Sequence, residues 1–344
     1  MSEKGPVNVM LKTLCLLNGT SGDERRVREY IIEQIKDHCT YHVDALGSVI
    51  AFKKGEKTPE KTVSFNAHID EVGFIITHIT EDGYLRFAPV GGIDVRVCLD
   101  RVVTIGEQGI KGVIGDKAFH LLESEERKSC PSFDKLLIDI GATSKEEAAA
   151  VVSPGDFAYF DSDYITFGNG FIKSKALDDR IGCMLLIKLI QSDLPYDTYF
   201  CFNTQEEVGL RGSTCTSYAV QADVAVILEA TTAADYDGVS GADRVCVLGE
   251  GPVISFMDRR TIYDRELYRL GMTMAKENQI PAQTKTAVAG GNDAGAIQTS
   301  GNGARVMAIS VPSRYIHSAA SVVKQSDIEN TEKLIRVLLN KLYD

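Results

Sequence analysis

Apolar runs that lead within a few residues into histidine or carboxylate side chains recur along this chain, and that pairing restricts its fold more than any other feature. Residues 62–67 precede His68 and Asp70, 199–203 precede Glu206 and Glu207, 224–228 precede Asp235, and 306–311 precede His317. These runs are rich in β-branched and apolar residues, as strands buried on both faces must be. Stretches of helical periodicity separate them, over 23–37, 180–191 and 261–278, and a last helix is expected after 326–329. Ser21 or Asp23 is expected to cap the first, and capping-box patterns stand at 143–146 and 326–329. Strands alternating with helices imply an α/β/α sandwich, in which strand carboxyl ends line the ligand crevice.

The segment 72–163 breaks this rhythm. It holds short β-rich runs at 73–80, 84–88, 102–106, 109–114 and 136–140, divided by turns containing glycine and acidic residues. The expected organisation is a discontinuous main domain, 1–71 with 164–344, carrying an inserted small β-barrel-like domain at 72–163. A chain of 344 residues suits such a pair.

Composition excludes several functions. The net charge of -11 and the absence of a Lys/Arg run argue against a nucleic-acid partner or an anionic membrane. No stretch is long and apolar enough for a transmembrane helix, and residues 1–5 lack a leader pattern. The cysteines at 15, 39, 98, 130, 183, 201, 215 and 246 are scattered without a CxxC pair and read as buried free thiols of a cytoplasmic protein.

The residues after the strands are those a pair of divalent cations needs. Two such ions about 3.5–4 Å apart clamp a hydrolytic transition state, and anionic oxygens must stand between them. Imidazole with carboxylate suits zinc or cobalt better than magnesium or calcium. Asp178, Asp179 and Arg180 open a helix and add further carboxylates. Glu206 and Glu207 are neighbours on an extended segment, so one can bind metal while the other faces substrate; the residues alone leave open which. Taken singly, each element also fits a polar turn, a solvated loop or a helix cap; their order along successive strand ends makes coincidence improbable.

The motifs AHIDEVG at 67–73, KALDDR at 175–180, TQEEVG at 204–209 and PSRYIHS at 312–318 together resemble those of the M42 family of metallo-aminopeptidases. The 110 residues between His68 and Asp178 fall where M42 members insert their β-rich domain. The resemblance implies that Asp178 bridges two metal ions, with His68 and Asp235 completing one site and Glu207 and His317 the other. It implies Glu206 as general base, Asp70 as the carboxylate orienting His68, and a cis peptide after Asp178. It further implies peptide substrates, dimers formed through the insertion, and assembly of twelve subunits into a tetrahedron. A deacylase or carboxypeptidase on the same metal core, or a glycan hydrolase, are the alternative activities.

Some positions depart from the family pattern. The segment from Asp235 to Gly238 lacks the usual proline, and Asp237 stands as a rival ligand. GGNDAG at 290–295 resembles a glycine-rich GGTDA segment near the substrate, with Asn292 in place of threonine. Arg314 is a candidate for stabilising a developing oxyanion or for pairing with an acid. His120 matches a family position in the insertion, with an interface or structural role.

Overall fold

The computed structural model describes residues 6–343; residues 1–5, read above for a leader, and Asp344 lie outside the described residues. Strands β1 (Thr40–Val43), β2 (Val49–Lys53) and β3 (Val63–His68) open the fold after helices α1 (Pro6–Leu16) and α2 (Arg25–Ile35). Six strands follow: β4 (Gly73–Ile79), β5 (Leu85–Val90), β6 (Val102–Ile105), β7 (Ile110–Gly115), β8 (Leu137–Asp139) and β9 (Phe157–Phe160), with helix α3 (Lys145–Ala149) before the last. After β10 (Ile165–Phe167) and β11 (Phe171–Ser174) come α4 (Leu177–Ile190), β12 (Thr198–Asn203), α5 (Arg211–Val220) and β13 (Val224–Thr232). The chain ends through β14 (Val253–Ile254), α6 (Arg265–Glu277), β15 (Gln283–Thr284), α7 (Ala294–Ile297), β16 (Arg305–Ser313), β17 (Ser321–Lys324) and α8 (Gln325–Leu338).

Among these residues the main sheet has eight strands in the order β1-β2-β12-β3-β13-β16-β14-β15. Its centre, β12, β3, β13 and β16, is parallel. Period-2 alternation sorts β13 between two layers. Val224, Val226 and Leu228 pack with the main core, which includes residues of α1, α2, α4, α6 and α8. Ala225 and Ile227 pack instead with Ala294 and Ile297 of α7. The result is the α/β/α sandwich that the alternation implied. Helix α4 is apolar nearly all round and almost wholly buried, as a central helix must be. Each fully buried Leu or Ile contributes roughly 1.5–3 kcal/mol.

Strands β4 to β9 close into a separate barrel in the order β4-β5-β8-β7-β6-β9. Its own core is built on Phe74, packed edge-on against Phe87 and Phe160 at 5.1 and 5.0 Å between ring centroids. The barrel leaves the sheet directly after β3 and returns before α4. Strands β10, β11 and β17 form a small third sheet.

Several local expectations need correction. Neither Ser21 nor Asp23 caps α2: Ser21 Oγ donates to Asp70 Oδ2 at 2.6 Å, and Asp23 accepts from the Tyr159 hydroxyl. The box at 143–146 is shifted by one, with Ser144 accepting from Glu147 N and the Glu147 carboxylate accepting from Thr143 N. No box forms at 326–329, because α8 begins at Gln325 and Asp327 turns inward to accept from Gly249 N and Gly251 N. Cys130 and Cys215 are exposed, although all eight cysteines are free.

Candidate metal centre

Parallel strands bring their carboxyl ends to one edge of the sheet, and the donor side chains gather there. His68 is the last residue of β3 and pairs in register with Asn203 of β12. Its Nε2 lies 3.3 Å from Asp178 Oδ1 and 3.4 Å from Glu229 Oε1. On the other side, His317 Nε2 lies 3.4 Å from Asp178 Oδ2 and 3.3 Å from Glu207 Oε1. Asp178 thus presents one oxygen to each imidazole, the arrangement expected of a bridging carboxylate. The Asp178–Asp179 peptide is cis. Asp179 Oδ1 accepts from Gly182 N at 2.9 Å, while its Oδ2 is buried without a hydrogen-bond partner among the described residues.

The loops that carry these groups are held by hydrogen bonds and unusual backbone conformations. Asp70 is fully buried and accepts from Glu206 N at 3.0 Å and Glu207 N at 3.1 Å, so one carboxylate fixes the main chain of both glutamates. Its Oδ1 also lies 3.4 Å from His68 Nδ1, whose nearer neighbour is the Asp70 backbone oxygen at 3.1 Å. His317 Nδ1 lies 2.8 Å from the Gly92 carbonyl, which fixes the second ring. Gln205 and His317 adopt positive φ of 55° and 59°, a left-handed conformation that non-glycine residues adopt mainly where surroundings enforce it.

Electrostatics mark the cluster as short of positive charge. Burial, opposed by His68 and reinforced by Asp178, pushes the Glu229 carboxyl up to about 8. Burial, opposed by His317 and reinforced by Asp178, pushes Glu207 up to about 7. Glu206 is raised well above the carboxylate range, first by burial and then by its glutamate neighbours, against the pull of His68. Burial works against charge on His317 as well, yet Glu207 and Asp178 lift it to about 10. Asp178 goes the other way: despite burial, its bonds to His317 and His68 hold it well below the ordinary range.

These residues fit divalent cations. His68, Asp178 and Glu207 bring donor atoms within 4.8 Å of one another, as do His68, Asp179 and Glu229. Neutral imidazoles and ionised carboxylates are the donor set for zinc-like ions, and cations between the carboxylates would favour the ionised forms that burial and mutual repulsion now oppose.

The structure brings together His68, Asp178, Glu206, Glu207 and His317 around one cavity of about 250 Å³. It does not bring Asp235 there. Asp235 binds Arg314 with both oxygens, at 2.6 Å to Nε and 2.8 Å to Nη2, and accepts from Leu248 N at 3.0 Å. Both of its oxygens are engaged in a part-buried ion pair, which also occupies Arg314. Glu229 stands in its place at His68. Sequence reasoning passed over Glu229 because it ended the strand at Leu228, whereas β13 continues through Thr232. The available signal was an acid in mid-run, followed within two residues by the β-favouring Thr231 and Thr232.

A carboxylate–imidazole cluster at the carboxyl edge of a parallel-centred sheet places the chain among metal-dependent hydrolases of α/β fold. The family model described as M42 glutamyl aminopeptidase matches residues 47–334. The lysyl aminopeptidase of Pyrococcus furiosus is 30% identical over 342 residues, covering 97% of this chain and 96% of that protein. A TET aminopeptidase from a marine-sediment thaumarchaeon superposes with a TM-score of 0.93 at 35% identity, covering 98% of this chain and 96% of that one. The TET1 peptidase of Pyrococcus horikoshii, which can assemble into a tetrahedron or a large octahedral shell, gives 0.85 at 37% identity, covering 97% and 99%. The chain belongs to the M42 family and is an aminopeptidase, a hydrolase. Membership of a metallopeptidase family implies a divalent metal, in keeping with the cluster. No helix among the described residues is long and apolar enough to cross a membrane.

Proposed function

We propose that the chain removes N-terminal residues from peptides using two divalent ions, zinc or cobalt. His68 and Glu229 would hold one, Glu207 and His317 the other, with Asp178 between them. The observation that carries this reading is the placement of the two Asp178 oxygens, one toward each imidazole. When bound, such a pair supplies Lewis-acid stabilisation of developing charge and a nucleophile at neutral pH.

The chain's own residues do the rest. Glu206 lines the cavity beside these donors and, as a carboxyl that burial makes readily protonated, takes a proton and returns it to the leaving amine. Asp70 keeps it in place through the backbone N–H groups of Glu206 and Glu207. Asp70 also steadies His68, a support that raises ligand basicity. The concentration of carboxylates in one cavity favours the α-ammonium of a free N-terminus.

In the same reading, 1–71 and 164–344 form the catalytic domain and 72–163 a dimerisation domain, with His120 near the interface. Dimers then assemble into a tetrahedral dodecamer in the cytoplasm. The shells formed by the TET1 peptidase and the free thiols of this chain support that part.

The test is hydrolysis of free-amine and N-blocked aminoacyl anilides after chelator stripping and resupply of zinc or cobalt, with metal counted per subunit. Cleavage of free-amine substrates alone, restored by metal at two ions per subunit, is expected. Preference for blocked substrates would favour a deacylase, and glycan hydrolysis that survives chelation would favour a glycosidase.

A further inference from the structure

The oxyanion role considered for Arg314 has no support in the structure, because that guanidinium is committed to Asp235. Another donor faces the same cavity. Asn292 is 7% exposed and lines the cavity together with His68, Glu206, Glu207 and Glu229. Its side-chain oxygen accepts from Ala294 N at 3.0 Å and lies 3.2 Å from the Tyr263 hydroxyl. A backbone N–H can only donate, so this bond fixes which end of the amide is oxygen. The Tyr263 hydroxyl gives its single proton to Asp258 Oδ2 at 2.6 Å, and Asp258 Oδ1 holds Arg260 N and Thr261 N, so the tyrosine packed against Asn292 is anchored in turn.

The other end of the amide has no such commitment. Asn292 Nδ2 has no hydrogen-bond partner among the described residues and is not among the side-chain atoms sealed from solvent. The next residue sets its place in the site: Asp293 Oδ2 accepts from Asn203 Nδ2 at 2.8 Å, and Asn203 is the register partner of His68. A neutral donor is therefore held on a braced loop at the wall of an otherwise acceptor-rich cavity. Carboxylates there have no use for substrate oxygens, whereas a peptide in the cavity must bring carbonyl acceptors that lose water on binding.

We infer that Asn292 is a substrate-binding donor whose Nδ2–H engages the backbone carbonyl of the N-terminal residue at the bond to be cut. The inference rests on the peptidase reading above. Because the donor is fixed before substrate arrives, it costs no reorganisation as charge develops on that oxygen.

The test uses the full chain with Asn292→Asp and Asn292→Ser. The first keeps an acceptor for Ala294 N but offers no N–H; the second removes the amide without adding charge and serves should the first fail to fold. Melting and metal content per subunit check that the variants are intact. Two dipeptide isosteres are then compared as inhibitors, one with a ketomethylene in place of the peptide bond and one with a plain ethylene. The wild type is expected to prefer the ketone, and both variants to lose at least tenfold of that preference. kcat/KM should fall on the order of 100-fold alike for alanyl, leucyl and glutamyl anilides. An unchanged ketone preference, a wild type indifferent to the ketone, or a loss confined to substrates with polar side chains would overturn the inference. If no free-amine anilide is cleaved by the metal-supplied wild type, the peptidase reading fails, while the isostere comparison still reports on Asn292.

Discussion

Replacing Glu229 with glutamine, and separately Asp235 with asparagine, asks whether the acid beside His68 is the one the geometry selects. Glu229 Oε1 lies 3.4 Å from His68 Nε2, while both Asp235 oxygens are taken by Arg314. Loss of an outer-shell partner typically costs about 10- to 100-fold in metal affinity, so loss of a direct donor should cost at least ~100-fold, or about 2.7 kcal/mol. Asp235→Asn instead breaks charge-assisted bonds worth roughly 1.5–3 kcal/mol of fold stability. The effect of Glu229→Gln on the metal-stripped protein has the opposite sign. Burial raises this carboxyl to about 8, so ionising it opposes folding by an amount on the order of several kcal/mol. An acid whose folded-state value is raised imposes no penalty below its unfolded value near 4.5, and the full penalty above about 8. Glutamine removes that penalty, so the stripped variant should melt above the stripped wild type, by a margin that grows from pH 5 to pH 8. Competition with a zinc chelator measures affinity, and melting curves with and without zinc measure stability. Wild-type zinc affinity in Glu229→Gln, with a loss of 100-fold or more in Asp235→Asn, would refute the assignment.

Further outcomes follow from the same geometry. Glu206→Gln should lower kcat by about 10²–10⁴-fold while metal content stays unchanged, since its part is proton transfer; a variant that also loses metal would make Glu206 a ligand. Asp70→Asn should weaken zinc binding by about 10- to 100-fold, read by chelator competition, because it loosens both His68 and the Glu206–Glu207 backbone. Light scattering should give a mass near twelve subunits, and a monomer alone would remove the proposed shell. A thiol reagent applied to the native protein should label Cys130 and Cys215 rapidly, whereas Cys15, pushed up to about 12 chiefly by burial, should stay unmodified until the chain unfolds.

Much of the architecture was legible because it rests on periodicity. The alternation of buried runs with helices gave the layers, and the shift to short runs after residue 72 gave the barrel, whose strands β4 to β9 lie between Gly73 and Phe160. Helix starts were less legible for a physical reason. A serine or aspartate before a helix advertises a cap only when nothing better competes for its oxygen. Here Asp70 claims Ser21, Tyr159 meets Asp23, and the Gly249 and Gly251 N–H groups engage Asp327, and each rival is distant in sequence.

The same competition explains the centre. His68, Asp178, Glu207 and His317 were readable because each stands at or just beyond the end of an element, where a polar residue costs little and strand order fixes direction. Glu229 sits inside β13, where a charge conflicts with the burial on either side, so a local reading ends the strand there and searches downstream. That search meets Asp235, whose own partner, Arg314, is 79 residues away and cannot be seen locally. A carboxylate inside a central strand survives only if something across the sheet compensates for it, and His68 on the neighbouring β3 is placed to do so. The conflict that hid Glu229 is therefore also the argument for its role: a buried acid that violates the strand's pattern requires positive charge, and two histidines beside several carboxylates leave room for more of it.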